Sequence, residues 1–300
     1  MASTPVQKVA LLGKGFLGTA ILEQLTKAGF TVTVITRSRS SLKNLPSGVQ
    51  VAEVDYASLP SLVSAFEGQD AVVAALSAGA VSNQKLMIDA AIQAGVRRFV
   101  PSDYGAMTTD PAAQALPVHA LMVDIQNYLK GKAEKGEIEW TLFSTGPFLD
   151  LIMGNMPFVF DVANKEITWY DDGEVKFSTT SNATIGKAIA AALKNPLQTK
   201  NRNIFIHDAA VTQKQMVALV KKYVPGEWKE TKVNSEEELR ASLEAVGRGE
   251  IDMMTMLKMV KSALLGGKYR TFYEKVDNEM LGLGVYSDMD LEAEFEERFK

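Results

Sequence analysis

The chain has 300 residues, of which 46% are hydrophobic and 23% are charged, and its formal net charge is −4. This length and apolar content predict a full hydrophobic core, in one large α/β domain or in one domain with a smaller lobe. The negative charge argues against nucleic acid as a partner, the absence of cysteine excludes disulfides and thiolate metal sites, and no apolar run approaches the ~20 residues of a membrane span.

The first predicted element is an apolar strand that runs into a glycine-rich turn. Residues 9–18 read VALLGKGFLG, with Gly13, Gly15 and Gly18 spaced as G-x-G-x-x-G, and an apolar helical pattern follows. A strand, a glycine turn and a helix N-terminus together bring backbone N–H groups against a pyrophosphate. The segment therefore predicts dinucleotide binding, and the alternative is that these glycines only end a strand.

The second predicted strand indicates which dinucleotide binds. Residues 31–41 read TVTVITRSRSS, β-branched at first and then basic and hydroxylated. An NAD site usually ends this strand with an acidic residue for the ribose hydroxyl, whereas an arginine accommodates the 2′-phosphate of NADP. Arg37 is the expected clamp for that phosphate. Ser38 and either Arg39 or Ser41 would assist it, so the predicted cofactor is NADP(H), with a solvated basic loop as the alternative.

Strands and helices then alternate along the chain. Strands are predicted at 50–56, 70–77, 97–102 and 138–145, and helices at 58–66, 83–95 and 117–135. The alternation predicts an α/β Rossmann fold, a doubly wound parallel sheet that binds ligands at the carboxyl ends of its strands. Those ends fall at Gly13, Thr36, Ser77, Ser102 and Ser144.

The pattern changes after Pro147. It predicts a hairpin over 166–180 around an Asp172–Gly173 turn, a helix at 183–194, a strand at 202–207, a helix near 212–222, a charged region at 227–250 and an acidic amphipathic helix at the end. Methionines between 253 and 259 could line a pliable pocket or fill a core. We expect a Rossmann domain at 1–149 and a smaller α/β substrate lobe at 150–300, with segments around 180–207 returning to the Rossmann sheet.

These motifs, taken in order, resemble a known family. The blocks GKGFLG, VITRSRSS, VRRFVPSDYG, TLFSTGPFLD and TTSNATIGKAIAAAL are similar to the NmrA-like and isoflavone-reductase-like branch of the atypical short-chain dehydrogenases, in its fungal form. The resemblance covers about two-thirds of the chain and implies an NADP(H)-binding Rossmann domain with a C-terminal substrate lobe. It implies that the cofactor contacts Gly13, Gly15, Phe16, Leu17, Gly18, Arg37 and Ser77, and that Ser102, Asp103, Tyr104 and Gly105 border the nicotinamide.

One departure from this family concerns catalysis. Its reductases carry a lysine in a K-x-x-x-x-x-Y-L pattern, and here that block reads MVDIQNYL, with Met122 at the lysine position. The lysine would bond the nicotinamide ribose and move a proton at the substrate oxygen, and a thioether can do neither. Tyr128 and Lys132 form a Y-x-x-x-K motif, but it lies roughly 15 Å further along the helix, so we interpret it as chance.

Other polar residues could replace the lysine. His119 lies about one helical turn before Met122, and an imidazole is well suited to proton transfer. Asp103 and Tyr104 follow the end of a strand, and Asp150 is a further candidate. Each has a structural alternative: a surface position for the histidine, a loop brace for Asp103 and a packing wall for the tyrosine.

The expected substrate pocket lies at the seam between the two lobes, where ligands commonly bind. Its predicted apolar wall consists of Met122, Phe148, Leu149, Met153, Phe158 and Trp169, with Asp103, Tyr104, His119 and Asp150 as its polar groups. Such a wall favours a bulky hydrophobic or aromatic metabolite over a sugar or phosphate. The alternative is that the aromatic residues only seal the lobe to the sheet.

Three functions fit this sequence. The preferred one is an NADPH-dependent reductase of small-molecule, secondary metabolism. The others are a redox-neutral isomerase, cyclase or rearrangement enzyme that keeps the cofactor, and a non-catalytic NADP(H)-sensing regulator. Two distant histidines give no metal-ligand spacing, and the N-terminal segment has no signal-peptide pattern. We expect a cytoplasmic monomer or homodimer that binds a small molecule, and neither nucleic acid nor membrane.

Overall fold

The computed structural model describes residues 5–42, 44–154 and 157–300, without the side chains of Ser41 and Ala78. The predicted assistance of Ser41 to Arg37 therefore lies outside the described residues. The first half of the chain contains β1 (Lys8–Leu12), α1 (Phe16–Lys27), β2 (Thr31–Thr36), β3 (Gln50–Glu53), α2 (Leu59–Phe66), β4 (Ala71–Ala74), α3 (Ala78–Val81), α4 (Gln84–Gln93), β5 (Arg98–Val100), α5 (Ala120–Glu134) and β6 (Glu139–Ser144).

The second half contains shorter strands between helices. They are α6 (Leu149–Ile152), β7 (Glu166–Tyr170), β8 (Lys176–Thr179), α7 (Asn182–Lys194), α8 (Pro196–Thr199), β9 (Arg202–Phe205), β10 (Ala209–Thr212), α9 (Gln213–Tyr223), β11 (Lys229–Val233), α10 (Ser235–Gly247), α11 (Met253–Leu265) and α12 (Asp288–Phe299). Short 3₁₀ turns lie at 39–41, 117–119 and 279–281. Among the described residues, no helix is both long enough and apolar enough to cross a membrane.

A parallel sheet forms the centre of the molecule. Its strand order is β3-β2-β1-β4-β5-β6-β9, and every neighbouring pair is parallel. Helices α1 and α7 cover one face, and α2, α4 and α5 cover the other. Because both faces are covered, a central strand such as β4 is buried along its whole length. The predicted doubly wound Rossmann sheet is confirmed.

The C-terminal lobe is built on two small sheets. β7 pairs in parallel with β11, and β8 pairs antiparallel with β10. A third apolar core lies between these sheets and helices α9 and α12, with Phe177 and Phe295 fully buried in it. The acidic end of the chain is an amphipathic helix, as predicted, whose buried face is formed by Leu291 and Phe295.

The predicted hairpin over 166–180 is wrong, although the turn itself exists. Asp171 adopts a left-handed φ of 53°, and its carboxylate accepts hydrogen bonds from the backbone N–H and hydroxyl of Ser235. Gly173 then packs against the ring of Trp169. These contacts separate the two strands, so β7 and β8 enter different sheets. The charged region at 227–250, for which no element was predicted, contains β11 and α10.

Candidate functional site

The glycine turn leaves no room for side chains at two of its positions. A Cβ on Gly13, whose φ is +93°, would lie 2.4 Å from the carbonyl oxygen of Ala75, and one on Gly18 would lie 2.2 Å from the carbonyl oxygen of Gly13. Gly15 is different, because a Cβ there would meet no other atom within 4 Å. It is the N-cap residue of α1, and no side chain caps the first N–H groups of this helix.

A cavity of about 460 Å³ opens beside this turn, and we call it the glycine-turn cavity. Its wall combines the turn with the ends of β2 and β4, and its residues are Gly13, Lys14, Gly15, Ile35, Thr36, Arg37, Ser38, Tyr56, Ala75, Leu76, Ser77 and Ala80. Four of the residues predicted to contact a cofactor therefore line it, besides Ser38. Gly18 lies beneath the turn and is buried.

The basic segment after β2 turns two arginines in different directions. Arg37 is exposed and lines the glycine-turn cavity, with its guanidinium 5.9 Å from the centre of the Tyr56 ring. Arg39 instead donates from its guanidinium to the carbonyl of Val51 at 2.7 Å, and its backbone N–H donates to Glu53. Arg39 is therefore held against β3 and does not line the cavity. The prediction that Arg39 or Ser41 assists Arg37 finds no support at Arg39.

A second cavity, of about 540 Å³, lies between the sheet and the C-terminal lobe, and we call it the lobe cavity. Its wall is mostly apolar: Phe16, Leu17, Ala106, Met107, Met122, Pro147, Phe148, Leu151, Phe158, Val260 and Leu264 are joined by Ser102, Asp103, Tyr104, Thr108 and His119. Both cavities are lined by Gly15, Ala75, Leu76 and Ser77, so they meet at the carboxyl end of β4. Ser102 braces this junction, because its hydroxyl accepts the N–H of Leu76 at 2.9 Å.

Asp103 lies in the wall of the lobe cavity but is fully engaged by its neighbours. Its carboxylate accepts hydrogen bonds from the hydroxyl of Thr108 at 2.9 Å and from the side-chain amide of Gln126 at 2.7 Å. Burial raises the pKa of this carboxyl above its usual range, although both hydrogen bonds oppose the rise. The geometry matches the structural alternative, in which Asp103 braces its loop against α5.

Tyr104 is also held by the fold. Its hydroxyl donates to the carbonyl oxygen of Ala74 at 2.8 Å, and its ring packs against Phe143 in the core of the sheet. Burial, reinforced by the charge of Asp103, raises the pKa of the phenol far above its usual value. A phenol in this state is a poor proton donor, so the arrangement favours the packing-wall alternative over the catalytic role predicted for Tyr104.

His119 and Met122 stand together in the wall of the lobe cavity. His119 is buried in the 3₁₀ turn before α5, and its Nδ1 lies 2.8 Å from the carbonyl oxygen of Ala113. That bond requires a proton on Nδ1, which leaves Nε2 as the acceptor nitrogen of the neutral ring. The thioether of Met122 lies where the family resemblance places a lysine. Because His119 is buried, the structure does not match the alternative of a surface position for it.

The predicted substrate residues divide into two groups. Phe148 and Phe158 line the lobe cavity, together with Met122. Asp150, Met153 and Trp169 do not line it, so their prediction as substrate contacts gains no support from the cavity, and each makes other contacts. The carboxylate of Asp150 accepts the N–H of Asn182 at the start of α7, Met153 is buried in the core of the lobe, and the indole N–H of Trp169 donates to Glu230 at 2.6 Å.

Sequence reasoning missed two contributions to this wall. Val260 and Leu264 come from α11. The methionines at the start of this helix are candidates for a pocket or a core in the sequence, but Met253 and Met254 are exposed. Tyr273 lies behind the wall, where its hydroxyl donates to the carbonyl of Ala106 at 2.7 Å and accepts the N–H of Gly146 at 3.2 Å. The helical spacing of Val260 and Leu264 was visible in the sequence, but their orientation depends on tertiary packing.

A metal centre finds no support in the described part of the chain. Within it, no group of three or more histidine and acidic side chains is arranged to hold a metal ion. His207, the second histidine, is buried and bonded to the hydroxyl of Ser178.

Comparison with known proteins finds relatives along the whole chain. The family model described as "NmrA-like family" matches residues 6–292. Oxidoreductase aprR of Aspergillus flavus is 35% identical over 285 residues, which cover 93% of this chain and 95% of that protein. Oxidoreductase poxI of Penicillium oxalicum is 30% identical over 230 residues, or 75% of this chain and 72% of that protein.

Solved structures show the same fold. The structure of AtPrR2 with NADP+ and (+)-pinoresinol superimposes with a TM-score of 0.70 at 22% identity, over 96% of this chain and 93% of that one. At this identity the likeness extends to the fold alone.

Proposed function

Because the chain belongs to the NmrA-like family, we propose that it is an NADP(H)-dependent oxidoreductase of secondary metabolism that acts on a bulky, largely apolar small molecule. The family membership confirms the resemblance found in the sequence. The observation that carries the proposal is the meeting of two cavities at Gly15 and Ser77, one glycine-rich and cationic and the other apolar. A dinucleotide spanning that junction would present its nicotinamide to a ligand in the lobe cavity.

The residues of the glycine-turn cavity fit NADP(H). Open space above Gly15 and the N-terminus of α1 suit a pyrophosphate, since only a glycine lets it approach the backbone. Arg37 and Ser38, at the end of β2, are placed to hold a 2′-phosphate through charge-assisted hydrogen bonds. Ser77 and Ser102, with Phe16 and Leu17, would border the nicotinamide half. AtPrR2, which shares this fold, binds NADP+.

The lobe cavity supports an apolar substrate. Its volume of about 540 Å³ is within the usual range for a small-molecule site, and no lysine or arginine is among the residues that line it. A phosphorylated or sugar substrate would leave its charges or hydroxyls without partners there. We accordingly assign cofactor binding to residues 1–149. These residues also form most of the lobe-cavity wall, which residues 150–300 complete with Leu151, Phe158, Val260 and Leu264.

His119 is the group we assign to proton transfer. When bound, a reduced nicotinamide supplies a hydride to the substrate carbon. The protein must then deliver a proton to the substrate oxygen, and a protonated Nε2 of His119 can do so while Nδ1 stays bonded to Ala113. Asp103 and Tyr104 are both committed to structural hydrogen bonds, and Met122 has no proton to give.

The decisive experiment follows consumption of NADPH in the presence of aromatic and polycyclic ketones and enones, with product mass as a second readout. We expect turnover that falls ~100-fold in His119→Gln, the scale of a general acid, with little change in KM. Val118→Ala, beside it in the same turn, is the matched control. Turnover that survives in His119→Gln would remove the histidine from the mechanism, and a protein that binds no NADPH would contradict the function itself.

A redox-neutral reaction is the second candidate, and Met122 is the observation that favours it. Without the family lysine, a bound cofactor and an apolar ligand would meet beside His119 as the candidate proton donor. In that case the product would be an isomer of the substrate, and NADPH would not be consumed. Met122→Lys would then be expected to gain reductase activity while cofactor affinity is retained. A protein that binds NADP(H) but converts no ligand would instead match the sensor function.

A further inference from the structure

Arg37 and Tyr56 form a pair at the wall of the glycine-turn cavity. The guanidinium of Arg37 lies 5.9 Å from the centre of the Tyr56 ring, within the range of a cation–π contact. The ring cannot follow the arginine, because Tyr56 is buried and its hydroxyl donates to the carbonyl oxygen of Ile35 at 3.0 Å. Ile35 belongs to β2, the strand that carries Arg37 just beyond its end. The tyrosine is thus a fixed platform beside an exposed side chain.

Acidic groups lie near the same arginine. Arg37 also lines a shallow depression on its other side, together with Glu53, Val54, Asp55 and Ser61. The two carboxylates there accept hydrogen bonds from backbone N–H groups, Glu53 from Arg39 and Asp55 from Ala57. An arginine drawn towards them would point away from the glycine-turn cavity. The Tyr56 ring offers the alternative position, on the cavity side.

We propose that Tyr56 is a positioning residue that sets the preference for a 2′-phosphorylated nucleotide by holding the guanidinium of Arg37 in the glycine-turn cavity. This inference rests on the proposed binding of NADP(H). Stacking of a planar guanidinium on an aromatic ring fixes the orientation of its N–H groups before the phosphate arrives. Less side-chain freedom is then lost on binding, so the phosphate gains affinity that an unphosphorylated ribose does not share.

The chemistry of the phenol is compatible with this role. Burial raises the pKa of Tyr56 to about 12, even though the charge of Arg37 opposes the rise. The hydroxyl therefore stays protonated at physiological pH and keeps its bond to Ile35. The neutral phenol therefore leaves the positive charge of Arg37 available to the 2′-phosphate.

The test compares the dissociation constants of NADP+ and NAD+ by calorimetry. Tyr56→Leu is expected to lower the preference for NADP+ about tenfold, mainly by weakening NADP+, while Tyr56→Phe keeps the ring and stays within about threefold of wild type. Tyr128→Leu is the matched control, because Tyr128 also lies under two lysines but lines neither cavity. Equal weakening of both nucleotides by Tyr56→Leu, or no change in their ratio, would overturn the inference.

Two changes at Arg37 complete the test, and the first of them does not require Tyr56→Leu to fold. Arg37→Lys retains the charge but loses the planar guanidinium, so the NADP+ preference should fall several-fold, and full retention would overturn the inference. In the Arg37→Ala background, Tyr56→Leu should have no further effect on the ratio, and a further effect would overturn the inference. A wild-type protein that binds both nucleotides equally would contradict the proposed NADP(H) function. A wild-type protein that prefers NADP+, with a preference that Tyr56→Leu leaves unchanged, would contradict only the role of Tyr56.

Discussion

The three glycines of the turn differ in what they avoid. Gly13 and Gly18 avoid clashes within the protein, since each added Cβ would approach a backbone carbonyl within 2.5 Å. Gly15 avoids nothing in the protein: it has an ordinary φ of −89° and open space beside it. The lack of a side chain at Gly15 thus benefits only the cavity, which indicates a binding function. The G-x-G-x-x-G spacing alone does not distinguish Gly15 from the other two glycines.

This difference predicts opposite outcomes for two alanine substitutions. Gly18→Ala should lower the free energy of unfolding by about 2 kcal/mol or more, because α1 would have to move away from the turn. Gly15→Ala should cost less than about 1 kcal/mol, as a poorer N-cap, yet weaken NADP+ binding strongly. Urea unfolding and calorimetric titration of both variants measure the two effects. A Gly15→Ala protein with unchanged NADP+ affinity would disprove the assignment of its open space to the cofactor.

Asp103 provides a prediction about pH and stability. Because burial raises the pKa of its carboxyl in the folded state, the unfolded chain ionises first, from about pH 4, and stability falls as the pH rises towards the folded pKa. Asp103→Asn lacks this ionisation. The free energy of unfolding of the wild type, minus that of the variant, should therefore decrease from about pH 4 upwards and then level off. Urea titrations across this range check it, and a difference that grows with pH would show that the carboxylate is stabilised.

At the scale of elements, the sequence predicted well wherever burial was continuous. The parallel strands of the Rossmann sheet and their helices were recognisable because apolar runs and helical spacing agree with the final fold. The hairpin failed because alternation does not identify a strand's partner: the contacts of Asp171 with Ser235 come from a residue 64 positions away. β11 was missed because four of its five residues are exposed, so it has no apolar pattern.

The position of Trp169 on β7, outside the lobe cavity, leads to a paired prediction. Phe158→Ala should raise the KM for an apolar substrate about tenfold or more, because the ring lines the lobe cavity. Trp169→Phe should leave KM unchanged and cost only about 1 kcal/mol of stability, since it removes one exposed hydrogen bond to Glu230. Steady-state kinetics and thermal unfolding of the two variants measure this. The reverse result would return Trp169 to the substrate site.

At the scale of the whole molecule, the C-terminal half of the chain contributes to the Rossmann sheet and to the helical layer on one of its faces. α7 packs on α1 so closely that a Cβ on Gly186 would lie 2.8 Å from the carbonyl of Ala20, and β9 completes the parallel sheet beside β6. The lobe cavity itself joins Phe16, Met122, Phe148 and Val260, which are widely separated along the chain. Sequence analysis could predict several of these residues individually, but their assembly depends on how the chain returns to the sheet.

This arrangement predicts two separable patterns of amide hydrogen exchange. NADP+ alone should slow exchange at 13–18, 36–38 and 75–77, because these segments line the glycine-turn cavity and their backbone would become ordered. An apolar substrate added afterwards should extend the protection to 105–108 and 146–151, around the lobe cavity. Segment 235–247 is the internal control, since α10 lines neither cavity. If NADP+ protects the first set of segments and no apolar ligand protects the second, the result would contradict the enzyme function. It would favour an NADP(H)-sensing regulator, because only an enzyme must bind a substrate in the lobe cavity.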